Sequence, residues 1–320
     1  MDNAMVYGPV PSRRLGRSLG INNIPPKICS YSCIYCQLGR TAAKQTARKA
    51  FYQPWELARS VGERVRQLRT KGERIDYLAF VPDGEPILDI NLGEEIELLR
   101  DLGLKLAVIT NASIIWREDV QQDLLKADWV CLKVDAVTTD VWGKINRPGE
   151  ELKLDKIHQG ILEFAKSFKG ELTSETMLIK GINDDPREIG RIADFLTEFK
   201  PAKAYLAIPT RPTAERLEPA DETTLNSAYQ TFSKKLSKVE FLIGYEGNDF
   251  SSTGNAADDL LSITAVHPMR EEAVVALLKR LNKDWTIVEK LIEEGKLLEL
   301  DYRKKKFYAR KLPVKISEKS

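Results

Sequence analysis

At 320 residues and 36.2 kDa the chain exceeds what one hydrophobic core usually organises, so a single large α/β domain or a main domain with a small companion is expected and a lone peptide module is excluded. Hydrophobic residues at 42% and charged residues at 30% exclude a disordered chain. The net charge is only +2, yet residues 1–50 carry eight basic and one acidic side chain and residues 262–320 carry fourteen and nine, so both ends are basic around an acidic middle. Such asymmetry suits a polyanionic partner, although solubility alone accounts for it equally well. No apolar run approaches the roughly 18 to 20 residues of a membrane span. The opening Met1-Asp2-Asn3-Ala4 lacks a basic stretch followed by an apolar core, so a cytoplasmic protein with no membrane partner is expected.

Arg17–Asn22 reads as a first strand, and Pro25-Pro26 marks the loop that leaves it. Three of the four cysteines then fall within eight residues, as Cys29-Ser30-Tyr31-Ser32-Cys33-Ile34-Tyr35-Cys36. In a cytoplasmic chain such a cluster points to metal or redox chemistry more than to disulfides. Spacings of four and three would also align the thiols on one helix face, but the prolines before and Gly39 after favour a loop. A closed zinc site would need a fourth ligand, and the only histidines, His158 and His267, are remote. An iron–sulfur cluster held by three thiolates leaves one iron open to a substrate or cofactor.

A helix over Pro54–Arg69 precedes the strand Ile75–Val81, which ends in Asp83-Gly84-Glu85-Pro86. Further strands are expected at Lys105–Thr110, ending in Asn111-Ala112-Ser113, and at Asp128–Val134, carrying Lys133. Others follow at Glu171–Ile179, carrying Glu175, at Lys203–Ile208 and at Val239–Ile243. Charges inside apolar strands are costly without a partner, so Lys133 and Glu175 are either barrel-interior contacts or a mutual ion pair. Counting Arg17–Asn22 first gives six βα units and an incomplete parallel barrel, with the cysteine loop and the polar turns at the C-terminal strand ends where barrel active sites lie. Cys131 falls in a buried strand and reads as core.

The cysteine loop with its aromatic Tyr35, together with the Gly84-Glu85-Pro86 and Asn111 turns, resembles the radical S-adenosylmethionine superfamily. The resemblance implies a three-quarter (β/α)6 barrel with a [4Fe–4S] cluster on Cys29, Cys33 and Cys36. The cluster's open iron would chelate S-adenosylmethionine and reductively cleave it to a 5′-deoxyadenosyl radical that abstracts hydrogen from substrate. It further implies that Gly84, Glu85 and Pro86 hold the cofactor's amino group and that Tyr35 lies along the adenine. Asn111, Ser113, Lys133 and Glu175 would meet ribose, carboxylate or substrate. Asp83 stands where the family usually has glycine. With no second redox centre in view, an external reductant such as flavodoxin or ferredoxin is implied.

The run Tyr7 to Gly20, with Gln37-Leu38-Gly39-Arg40-Thr41, Lys133-Val134-Asp135-Ala136, Ile145-Asn146-Arg147-Pro148 and Met177 to Gly181, resembles a narrower group, the wyosine-biosynthesis-like iron–sulfur oxidoreductases, over roughly residues 5–245. Arg13, Arg14 and Arg17 would either grip an anionic substrate or pack under the barrel. The tricycle-forming synthases carry a second cluster, which Cys131 alone cannot hold. The substrate is therefore expected to be transfer RNA, a peptide or a small cofactor precursor, and a non-catalytic iron–sulfur regulator is the contrasting possibility.

The chain is expected to divide into a barrel over 1–249, a polar linker over 250–262 and a small domain over 263–320. Helices at Arg270–Leu281 and Trp285–Glu294, then strands at Lys296–Tyr302 and Phe307–Lys311 around the tip Arg303-Lys304-Lys305-Lys306, outline a winged helix. A basic wing of this kind suits a nucleic-acid backbone, a protein contact or a cover for the barrel mouth.

Overall fold

The computed structural model describes residues 5–244, 250, 254–266 and 268–311. Eight strands, β1 (Val6–Ser12), β2 (Gly16–Ile21), β3 (Tyr77–Phe80), β4 (Lys105–Thr110), β5 (Trp129–Lys133), β6 (Glu171–Met177), β7 (Lys203–Ala207) and β8 (Val239–Leu242), form one sheet in sequence order. β1 runs antiparallel to β2, and every later neighbour is parallel. Among the described residues β1 and β8 are the sheet's two edges, so the curled sheet is an open partial barrel.

Parallel strands need crossovers, and seven helices supply them: α1 (Pro54–Thr70), α2 (Leu92–Leu99), α3 (Glu118–Leu124), α4 (Thr139–Asn146), α5 (Leu154–Ser167), α6 (Pro186–Phe199) and α7 (Glu222–Ser233). In α1, Leu57, Val61, Val65 and Leu68 recur at helical spacing and are fully buried, while Pro54 opens its first turn. Asp185 and Asp221 cap α6 and α7 by accepting backbone N–H bonds. His158 on α5 lies against Phe195 on α6, with ring centroids 4.3 Å apart.

The strands obey a period of two. Leu78, Phe80, Leu106, Val108, Val130 and Leu132 point outward into the main core under the helices. The alternate residues Ala79, Ala107, Trp129, Cys131 and Tyr205 point inward and form a smaller cluster with Leu15. This inner face, the lumen side of the sheet, mixes the small Ala79 and Ala107 with the large Trp129 and Tyr205.

Beyond the barrel, α8 (Ala256–Val266) leads to β9 (Met269–Arg270), α9 (Glu271–Arg280), α10 (Thr286–Glu293), β10 (Leu297–Tyr302) and β11 (Lys305–Arg310), the last strands forming a sheet ordered β10-β11-β9. Two helices and a hairpin therefore stand where the sequence places them. Two expectations change. The proline- and glycine-rich amino-terminal run is a sheet strand, β1, and the stretch expected as a polar linker contains fully buried Phe250 and the first turns of α8. Both changes have one cause, because Tyr7 and Val10 of β1 pack with Phe250, Leu260, Ile263, Met269 and Tyr308 in a second core that joins the carboxyl-terminal elements to the barrel edge. Residues 245–249 and 251–253 and His267 lie outside the described residues. Among the described residues no helix is long and apolar enough to cross a membrane.

Behind the strand ends, Asp89 and Glu95 form a buried carboxyl pair, with Asn23 donating to Asp89 at 3.4 Å. Burial raises both proton affinities, and Asp89's charge raises that of Glu95 further. The folded chain therefore binds more protons here than the unfolded chain, so this pair's contribution to stability falls as pH rises through neutrality. Chemical denaturation between about pH 6 and about pH 9 should show a shallower loss of stability for Glu95→Gln than for the native chain. Equal pH slopes would contradict a proton held by the pair.

Candidate active site

The cysteine loop leaves β2 and folds over the C-terminal ends of the strands in successive turns, with no helix. Two backbone bonds clasp it to the turn after β3: Lys27 N–H donates to the Asp83 carbonyl at 2.7 Å, and Glu85 N–H donates to the Ile28 carbonyl at 2.9 Å. Gly84 lies between these rungs. A Cβ there would sit 2.0 Å from the Ile28 carbonyl oxygen, so only glycine permits the approach. A further bond, Cys36 N–H to the Cys33 carbonyl at 3.1 Å, tightens the loop between the last two thiols.

Each thiol has one side-chain N–H donor from a different part of the chain. Asn111 Nδ2 lies 3.7 Å from Cys29 Sγ, Asn146 Nδ2 lies 3.5 Å from Cys33 Sγ, and Lys27 Nζ lies 3.7 Å from Cys36 Sγ. Burial raises the proton affinity of Cys29 well above the usual thiol value and that of Cys33 to about 12. Charges on the neighbouring cysteines raise both further. Among the described residues no three Cys, His, Asp or Glu side chains converge as a single metal ion demands. Iron bound at these sulfurs would gain from all three N–H donors.

Glu85 is buried, and its carboxylate is already engaged. It accepts from the Thr110 hydroxyl and from the Asn111 backbone N–H at 2.8 Å, and burial lifts its pKa to about 7. It thus ties the end of β3 to the end of β4. Asn111 uses its own side chain twice more, donating to Ser30 Oγ at 3.1 Å and accepting from Ser113 N–H at 2.9 Å, while Ser30 and Ser113 hydroxyls meet at 2.6 Å. Ala112, between Asn111 and Ser113, is buried at φ +59. Pro86 is buried in the 3₁₀ turn that follows Glu85. Asp83 is buried with one carboxylate oxygen lacking a hydrogen-bond partner; burial raises its pKa to about 7 against the charges of Arg310 and Lys27.

Tyr35 lies on the other flank. Its hydroxyl donates to Asp135, which also accepts from Asn146 Nδ2 at 2.9 Å and from Met177 N–H at 2.9 Å. Lys133 Nζ stands 4.9 Å from the Tyr35 ring centroid and 2.6 Å from Glu175, so the two lumen charges form the ion pair weighed from the sequence. The structure thus gathers Cys29, Cys33, Cys36, Tyr35, Gly84, Glu85, Pro86, Asn111 and Ser113 at the strand ends, with Lys133 and Glu175 just inside the lumen. Lys27, Asp135 and Asn146 join them unforeseen. Asp135 and Asn146 lay within recognised motifs, whereas Lys27 carried no signal beyond its place in the loop.

The carboxyl-terminal hairpin reaches the same end of the barrel. Tyr302 donates to the Pro209 carbonyl after β7 at 3.2 Å, and Arg310 acts on Asp83 after β3. A groove of about 620 Å³ opens beside β6–β8, lined by Lys180, Leu217, Phe241, Ile243 and Arg303 of the hairpin tip.

Residues 23–195 match the Radical SAM superfamily. UPF0026 protein MJ1312 of Methanocaldococcus jannaschii is 46% identical over 96% of both chains. A UPF0026 protein of Helicobacter pylori is 30% identical over 86% of this chain and 88% of its own. A radical SAM methyltransferase from Sphaerobacter thermophilus, at 14% identity, covers 71% of this chain and 66% of its own with a TM-score of 0.53, a likeness of fold. The chain belongs to the radical S-adenosylmethionine superfamily, whose enzymes use a [4Fe–4S] cluster and S-adenosylmethionine, and within it to the UPF0026 proteins.

Proposed function

We propose that Cys29, Cys33 and Cys36 hold the [4Fe–4S] cluster and that the turns around Gly84, Glu85, Pro86, Asn111 and Ser113 seat S-adenosylmethionine beside it. The observation that carries this reading is the set of three sulfurs, each with its own N–H donor, clasped over the C-terminal strand ends. When bound, the reduced cluster supplies the electron that splits S-adenosylmethionine into methionine and a 5′-deoxyadenosyl radical, which takes hydrogen from the substrate.

The chain's own residues do the rest. Lys27, Asn111 and Asn146 place positive dipole or charge against the three sulfurs, which favours the more negative, reduced state. Glu85 fixes the β3 and β4 ends at the spacing the cofactor meets. Tyr35, anchored through Asp135, offers a ring face on the flank of the loop for the adenine. Lys133 and Glu175 face the lumen, where the substrate is presented. Flavodoxin or ferredoxin supplies the electron from outside.

The substrate reading we favour is a nucleic acid, with transfer RNA foremost; it is supported by the basic tip, Arg303 to Lys306, of the carboxyl-terminal hairpin, whose Arg303 lines the groove beside β6–β8. A salt-sensitive mobility shift of labelled transfer RNA supports this, and its absence at low salt redirects the search to a peptide or cofactor precursor.

Anaerobically reconstituted, dithionite-reduced protein should form 5′-deoxyadenosine from S-adenosylmethionine, and Cys33→Ala should form none. Product that is equal in the variant would contradict the assignment of the cysteines. Gly84→Ala should lower stability by about 1–3 kcal/mol through overpacking against Ile28 and reduce bound iron, measured by thermal unfolding and iron assay. A variant that loads iron normally and melts as the native protein does would show that the close approach is dispensable.

A further inference from the structure

The three donors around the sulfurs are unequal. Asn111 Nδ2 lies nearer to Ser30 Oγ, at 3.1 Å, than to Cys29 Sγ, at 3.7 Å, and Asn146 Nδ2 lies nearer to Asp135, at 2.9 Å, than to Cys33 Sγ, at 3.5 Å. Both amides are neutral dipoles, whose field falls off faster with distance than that of a charge. Lys27 brings a full charge. Its Nζ donates to the Gly39 carbonyl at 2.6 Å and stands 3.7 Å from Cys36 Sγ. Among the described residues no carboxylate forms an ion pair with this ammonium. Lys27 and Cys36 are half-buried, so solvent screens the pair less than it screens charges on the open surface.

Lys27 holds this position at a conformational cost. Its backbone sits at φ +65, in the left-handed region that glycine adopts freely, and its N–H bond to the Asp83 carbonyl at 2.7 Å keeps it there. A backbone role alone would be filled better by glycine, so the side chain is what the position retains. The other charges near the sulfurs give that side chain its meaning. Glu85 acts on Cys29, and Asp135 acts on Cys33, where it is opposed by Lys133, itself paired with Glu175 at 2.6 Å. Acids thus bear on two of the sulfurs, and an ammonium with no carboxylate partner bears on the third. The acid that Lys27 acts on is Asp83, and Arg310 of the carboxyl-terminal hairpin acts on the same carboxylate.

We propose that Lys27 is the chain's main determinant of the cluster's reduction potential, that Asp83 is the carboxylate opposing it, and that Arg310 of the carboxyl-terminal hairpin limits this opposition. The proposal rests on the reading that the three cysteines hold the cluster and goes beyond it by ranking their partners. On reduction one electron enters from the external carrier, no proton or leaving group moves, and the net charge becomes one unit more negative. A fixed positive charge beside a ligand sulfur favours that state over the oxidised one. The test is a redox titration of the anaerobic, iron-loaded protein without S-adenosylmethionine, followed by the electron paramagnetic resonance signal of the reduced cluster. Lys27→Gly, which takes the left-handed backbone without strain, should shift the equilibrium about tenfold toward the oxidised cluster, about 59 mV for one electron, and Lys27→Arg should retain most of the native value. Asp83→Asn should shift it the opposite way by about threefold, and Arg310→Gln should shift it in the same direction as Lys27→Gly by a smaller factor. A structural role for Lys27 predicts lowered iron content with the potential unmoved. A native potential in Lys27→Gly, or a shift toward the oxidised cluster in Asp83→Asn, would overturn the proposal. If Lys27→Gly loads no iron, the signs of the Asp83→Asn and Arg310→Gln shifts decide it. A native chain that assembles no four-iron cluster overturns the underlying reading and the proposal with it, whereas a cluster that assembles and is indifferent to Lys27 overturns the proposal alone.

Discussion

The backbone clasp between the cysteine loop and the turn after β3 is the constraint on which the rest depends. Three thiols in a loop of turns have no geometry of their own, because such a loop lacks the ladder of bonds that holds a helix or strand. Here the Lys27–Asp83 and Glu85–Ile28 bonds join it to a strand end, and Gly84 permits the approach. Glu85 then carries the constraint to β4 through Thr110 and Asn111, and Asn111 carries it back to Cys29. The loop is thus fixed from two strand ends at once. A side chain at position 84 would break the first link and loosen every later one.

Electrostatics divides the site into two regions. Around the sulfurs the donors are N–H groups and one ammonium, suited to negative sulfur. On the lumen side Arg14 and Lys133 pair with the two oxygens of Glu175. Between them lie Tyr35 and Asp135, which bind both regions into one bonded unit. Inside the barrel the small Ala79 and Ala107 lie against Leu15, Trp129 and Tyr205, and Arg14 reaches Glu175 from the turn between β1 and β2. The carboxyl-terminal elements are not a separate appendage. They share a core with β1 and bring Arg310 and Tyr302 to the same strand ends.

Much of this was legible because it rests on short-range signals. The Lys105–Thr110 strand, the α1 periodicity and the cysteine spacing are each local, and the structure places them as read. β1 was not legible, since Gly8, Pro9 and Pro11 erase the strand pattern and only pairing with β2 and packing under Phe250 make it a strand. The start of α8 escaped for a related reason. Asn255 accepts backbone N–H bonds from Ala257 and Asp258, so a polar stretch that reads as linker is a helix cap. Within the site, Lys27 and Asn146 owe their roles to the folded loop, with Lys27 held at φ +65, a conformation its sequence neighbours do not announce. The Lys133–Glu175 contact was one of two readings, but the third member, Arg14, comes from more than a hundred residues away in sequence.

The most direct measurement is the electron paramagnetic resonance spectrum of the reduced, iron-loaded protein before and after S-adenosylmethionine is added. The account predicts a signal from a reduced four-iron cluster that shifts on addition of the cofactor and is lost in variants of Cys29, Cys33 or Cys36, as a three-thiolate cluster with one open iron requires. A four-iron signal that S-adenosylmethionine leaves unaltered, or one that survives loss of any of the three thiols, would contradict it.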